Sequence, residues 1–154
     1  MFDNILVPVD GSEHAKQAVE AAAKLAEKFG SQITLLHIMP RAGSHRVPDE
    51  LKKFARVEHL SANEAQIFSS IAEAIVNRAK DQAQSLGAKN TKTAIETGDP
   101  ATTIIDYSNA HDIDIIVMGR RGLGELAGLF MGSVSHKVAH GTVRACLTVG
   151  VGAA

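Results

Sequence analysis

The sequence predicts an α/β fold built on a parallel sheet, and two observations carry that prediction. Short runs of Val, Ile and Leu alternate with helical patterns along the whole chain, as expected when parallel neighbours are joined by crossover connections. The 154 residues also include no tryptophan and only 4% aromatics. The core must therefore be aliphatic, which suits helices packed on a Val/Ile sheet.

Ile5-Leu6-Val7-Pro8-Val9 reads as a buried strand. Ser12 to Phe29 follows as a helix, with Ala15, Ala18, Val19, Ala22, Leu25, Ala26 and Phe29 on one face. Ser12 serves as its N-cap and Gly30 as the residue that ends it. Ile33 to Ile38 is the second strand. A long helix ends at Leu86-Gly87 and turns Phe68, Ile71, Ala72, Ile75, Ala79, Ala83 and Leu86 inward. A weaker strand covers Thr93 to Glu96. Gly98-Asp99-Pro100 then supplies a turn, an N-cap and an N1 proline, opening a helix with Ile104 and Ile105 inward. Ile113 to Met118 is a strongly buried strand. A glycine-rich stretch leads to a short helix from about Ser133 to His140, and Cys146 to Val151 forms the last strand.

Five strands with four interposed helical segments make one domain over residues 1–154, without repeats, low-complexity tracts or linkers. The formal charge of −1 lacks the basic excess of nucleic-acid binders. No apolar run approaches a membrane span, and the start of the chain lacks signal-peptide character. A lone cysteine, Cys146, excludes an intrachain disulfide. A cytoplasmic protein is expected. The long connection at residues 40–60 is rich in Pro, Gly, Ser and basic residues, with a short helix beginning at Pro48. Loops of this length are often functional, so it reads as a lid, a partner surface or a disordered loop.

Open parallel sheets bind ligands beyond the carboxyl ends of their strands, where the winding reverses. Two strand ends here carry unusual chemistry: Pro8-Val9-Asp10-Gly11-Ser12 and Met118-Gly119-Arg120-Arg121-Gly122. If these strands are neighbours, Asp10 and Gly119 face each other across one crevice. Farther on, Gly132-Ser133-Val134-Ser135 opens a helix whose first amides, dipole and hydroxyls suit an anion. The same residues also describe a tight turn and an ordinary N-cap. No Walker sequence exists, and Gly122-Leu-Gly124 does not continue as a dinucleotide fingerprint. The glycine segment holds no lysine and no general base is evident, so binding is expected ahead of phosphoryl transfer. Slow hydrolysis stays open.

The spacing Gly119-x₂-Gly122-x₉-Gly132-Ser133 resembles the glycine pattern of ATP-binding universal stress proteins. The opening strand, Leu35-Leu36-His37-Ile38, Gly98-Asp99-Pro100 and His111 to Gly119 are similar to that family in the family's order, over essentially the whole chain. The resemblance implies sheet order 3-2-1-4-5 with helices on both faces, a Rossmann-like fold of the adenine nucleotide alpha hydrolase type. It implies ATP or another adenine nucleotide, with Mg²⁺ on the phosphates and no confident side-chain ligand to the metal. Asp10 would contact the adenosine, Pro8 and Val9 would line its pocket, Ile38 would border the base, and Met118 and Gly119 would lie along the adenosine. Gly122, Gly132, Ser133, Val134 and Ser135 would surround the phosphates. The last strand resembles the one through which members form homodimers. It departs from the pattern at Val143-Arg144-Ala145-Cys146, where members commonly have a proline, and at Thr148 and Gly150. A member that has lost its nucleotide and serves as a dimeric scaffold is the third reading, against which Gly119, Gly122, Gly132 and Ser133 argue, and the client process is not legible.

Five further residues are weighed for a role. His37 reads as a packed or hydrogen-bonded core histidine and His136 as solvent-facing. Arg120 and Arg121 read either as phosphate neutralisers or as solvated loop residues. Cys146 reads as a buried strand residue.

Overall fold

The computed structural model describes residues 1–41, 53, 64–123 and 131–152. Its strands are β1 (Asn4–Pro8), β2 (Gln32–Met39), β3 (Thr91–Thr97), β4 (Ile115–Gly119) and β5 (Ala145–Val149). The described helices are α1 (Glu13–Phe29), α2 (Glu64–Ser85), α3 (Pro100–Ala110) and α4 (Ser133–Gly141). Every strand pair is parallel and the order is β3-β2-β1-β4-β5. Ile5 stands between Ile33 of β2 and Ile115 of β4. The winding therefore reverses between β1 and β4, as the expected order requires.

Consecutive apolar residues in β1 are explained by cover on both faces. Ile5 and Val7 pack with Ile33, Leu35 and Val117 against α1 and α2, whereas Leu6 packs with Leu36, Ile116 and Met118 against α3 and α4. The buried face of α1 is mostly alanine, namely Ala15, Ala18, Ala22, Ala23 and Ala26, with Val19. Small side chains let this helix lie close to the sheet. The edge strand β3 is only partly buried but longer than its apolar residues suggest, because its ladder with β2 runs from Thr91 to Thr97.

The caps form as their residue types dictate. Ser12 Oγ accepts the Ala15 amide at 3.1 Å, and Gly30 ends α1 at φ 72°. Asp99 Oδ1 accepts both the amide and the hydroxyl of Thr102. These bonds hold its carboxyl below the usual range.

Three expectations need correction. Phe29 is 46% exposed and meets Phe2 edge to face at 5.9 Å, while Ala23 is buried instead. Leu86 is also exposed, because α2 stops at Ser85 before the left-handed Gly87. The last strand ends at Val149; beyond it Gly150 lies against the Arg120 guanidinium and Val151 is exposed. Cys146 is half-buried in β5, and that burial raises its thiol. Among the described residues no helix is long and apolar enough to cross a membrane. The expected lid at 40–60 lies outside the described residues except at Pro40, Arg41 and Lys53.

Candidate functional site

The reversal point holds a cavity of about 260 Å³. Its floor is the carboxyl end of the sheet: Pro8, Val9 and Asp10 after β1, Leu36 to Ile38 of β2, and Met118 and Gly119 of β4. Arg121, Gly122 and Leu123 form one rim, and Gly132, Val134 and Ser135 at the start of α4 form another. Phe68 and Ile71 of α2, with Pro40, Pro100 and Ile104, close the sides. Of the twelve residues singled out in the sequence, eleven meet here. Ser133 does not: it is exposed and outside the lining.

Asp10 stitches the two strand ends together. Oδ1 accepts the Ser12 amide at 2.9 Å, and Oδ2 accepts the Leu123 amide at 3.1 Å across 113 residues of sequence. A Cβ on Gly122 would stand 2.6 Å from that Oδ2. A Cβ on Gly119 would stand 2.8 Å from the carbonyl carbon of His14 and 3.0 Å from the Arg121 oxygen. Both glycines therefore have an intramolecular reason for lacking a side chain, besides leaving the backbone open to a ligand.

At α4 the backbone is the principal donor. Gly132 has no side chain with which to cap the helix, and the first-turn amides have no intrahelical partners. Ser135 is buried and donates its hydroxyl to Arg120 O at 2.7 Å, with Gly132 O at 3.0 Å. That proton anchors α4 to the end of β4. The expected hydroxyl donation from Ser133 and Ser135 gives way to backbone donors.

The two arginines diverge. Arg121 lines the cavity, and its buried Nε has no hydrogen-bond partner among the described residues. Arg120 instead lays its guanidinium against Gly150. His37 is buried and its Nδ1 donates to Val9 O at 2.8 Å, since a carbonyl can only accept. This bond fixes the tautomer and leaves Nε2 as the acceptor. Burial lowers the His37 pKa, while the Val9 bond and the Asp10 charge oppose that shift. The core reading of His37 holds, yet the ring also lines the cavity. His136 is exposed, as expected.

Sequence reasoning missed Leu123, whose backbone amide gives no residue-type signal. It assigned Phe68 and Ile71 to the core stripe of α2, although both also face the cavity. Among the described residues no three His, Cys, Asp or Glu side chains converge on a metal position. A divalent ion at this site would need ligands from a bound phosphate and water. A mainly aliphatic floor, one carboxylate, one inward arginine and a glycine-lined rim suit a flat ligand with an anionic tail.

A family described as the universal stress protein family matches residues 1–149. The chain is 30% identical over 150 residues to the universal stress protein YxiE of Bacillus subtilis, covering 90% of this chain and 92% of that one. Its fold is similar to that of the universal stress protein UspA from Lactobacillus plantarum, with TM-score 0.76, 25% identity, and coverage of 96% and 97%. It is also similar to a universal stress protein from Archaeoglobus fulgidus in complex with dAMP (TM-score 0.68, 20% identity, coverage 97% and 99%). An Arabidopsis thaliana protein of the family with AMP bound is similar in fold as well (TM-score 0.65, 18% identity, coverage 97% and 92%).

Proposed function

We propose that this chain, which belongs to the universal stress protein family, binds an adenine nucleotide in the cavity between β1 and β4 and acts as a nucleotide-dependent regulatory module. The observation that carries the proposal is the convergence of Asp10, the rim of Arg121, Gly122 and Leu123, and the start of α4 on one cavity. The base and ribose would lie over Val9, Ile38 and Met118. The phosphates would meet the amides of Gly122 and of the first turn of α4, with Arg121 supplying charge. The dAMP and AMP complexes of proteins with the same fold support an adenine ligand.

ATP with Mg²⁺ is the form proposed, since the rim reaches beyond the adenosine floor toward a helix N-terminus. Asp10 spends both carboxylate oxygens on backbone amides, which argues against a general base there and for binding with at most slow hydrolysis. Binding to the folded state alone couples occupancy to stability by mass action. The proposed setting is the cytoplasm, in line with a single cysteine.

Denaturing freshly purified protein and identifying the released nucleotide tests the reading, together with calorimetry against Mg-ATP. An adenine nucleotide in the extract, or saturable binding, is expected; an extract without nucleotide together with flat calorimetry would refute the site. A homodimer through β5 is part of the proposal, supported by the exposed Leu147 on an edge strand. Leu147→Lys should shift the chain to monomer in sedimentation.

A further inference from the structure

We infer that His136 and His140 form a two-imidazole site for a borderline divalent transition metal such as Zn(II), on the solvent face of α4. The two residues are four apart, the helical spacing that stacks side chains on one face. Both are exposed, and their ring centroids stand 4.4 Å apart with planes inclined at 46°. Zn–N bonds of about 2.0–2.1 Å in a tetrahedral arrangement would hold two such centroids on the order of 5 Å apart. Opening the rings to that separation takes only side-chain rotation, without movement of the helix.

The backbone is ready for this. Residues 133–141 are already helical, and the His136 amide donates to Gly132 O at 3.0 Å. Val138, between the histidines in sequence, is fully buried against the sheet and holds that face of α4 inward. The histidines therefore project outward from an anchored helix, and their relative position is set before any metal arrives. Lys137 is the adjacent cation, and its charge is felt by Asp99 of the α3 cap. Imidazole selects Zn, Cu and Ni ahead of Mg or Ca, which take oxygen ligands. Water would fill the remaining coordination positions. This site is separate from the nucleotide cavity: neither histidine lines it.

Zn(II) titration of the full chain, followed by calorimetry and by NMR of the imidazole nitrogens, tests the inference. One equivalent should bind and shift the His136 and His140 rings together, and Cu(II) should bind more tightly than Zn(II). His136→Ala and His140→Ala should each abolish that equivalent. His111→Ala, which removes a ring stacked on Tyr107, should leave it intact. Circular dichroism of the variants checks folding, which exposed helical alanines should preserve. Binding that survives in the double variant would put the metal on other histidines and overturn the inference. Loss in only one single variant would overturn the chelate.

Discussion

The turn from β1 into α1 and the segment from β4 toward α4 face each other across the cavity, but they are built differently. The first is short and self-contained. Asp10 takes the Ser12 amide, Ser12 takes the Ala15 amide, and Val9 O takes the His37 ring. The second borrows its order. Leu123 is held by Asp10, Gly132 donates its amide to Arg120 O, and Ser135 reaches back to the same carbonyl. One strand end acts as a template on which the other is laid down.

That contrast can be broken most severely at Gly119. A side chain there meets the backbone of His14, which cannot move away as a flexible side-chain tip could. Gly119→Val should lower the unfolding free energy by about 3 kcal/mol, the upper range for overpacking, measured by urea denaturation. A change near zero would mean that the two segments are not in such close contact.

Asp10→Ala should come next, at about 2 kcal/mol, the scale of hydrogen bonds to a charged group. Its distinguishing sign is local. Amide exchange at Leu123 should accelerate more than exchange in α1, whose cap depends on Ser12. Equal acceleration in both would contradict the template account. Ser12→Ala should cost about 1 kcal/mol, as N-cap losses do, and should leave Leu123 protection unchanged.

The slightest effect is a pH slope from His37. Burial holds its folded pKa below the ordinary value of 6.5, so the unfolded chain takes up this proton first as pH falls. Stability is then fully present above about pH 6.5 and is lost progressively as pH drops below it. His37→Gln should flatten that part of the stability–pH curve in thermal melts. An unaltered slope would show that the ring is not held neutral by burial.

Most of the fold was legible because its signals are local. Ser12, Gly30 and Asp99 mark helix ends by residue type, and Ile5 to Val7 mark a doubly covered strand by composition. Phe29 and Leu86 misled for a physical reason. Helical periodicity continues to the helix end, where Phe29 finds only the edge of Phe2 and Leu86 already lies beyond the last helical residue. The outline of the site was legible through Asp10 and the glycines, whose roles depend on residue type. Its internal wiring was not. The Leu123 amide is a backbone group, the destination of the Ser135 hydroxyl depends on where Arg120 O lies, and Arg120 meets Gly150 only across the β4–β5 pair. None of these depends on nearby sequence alone.

The central claim is that the cavity between β1 and β4 is an adenine-nucleotide site. Titrating ¹⁵N-labelled protein with Mg-ATP and following backbone amide shifts tests it residue by residue. Saturable shifts are predicted at Ile38, Gly119, Gly122, Leu123 and Val134, around the lining of one cavity. An unchanged spectrum, or shifts gathered instead around Thr102, Tyr107 and His111 in the adjoining groove beside α3, which shares Ile38, Pro40 and Pro100 with this cavity, would contradict it.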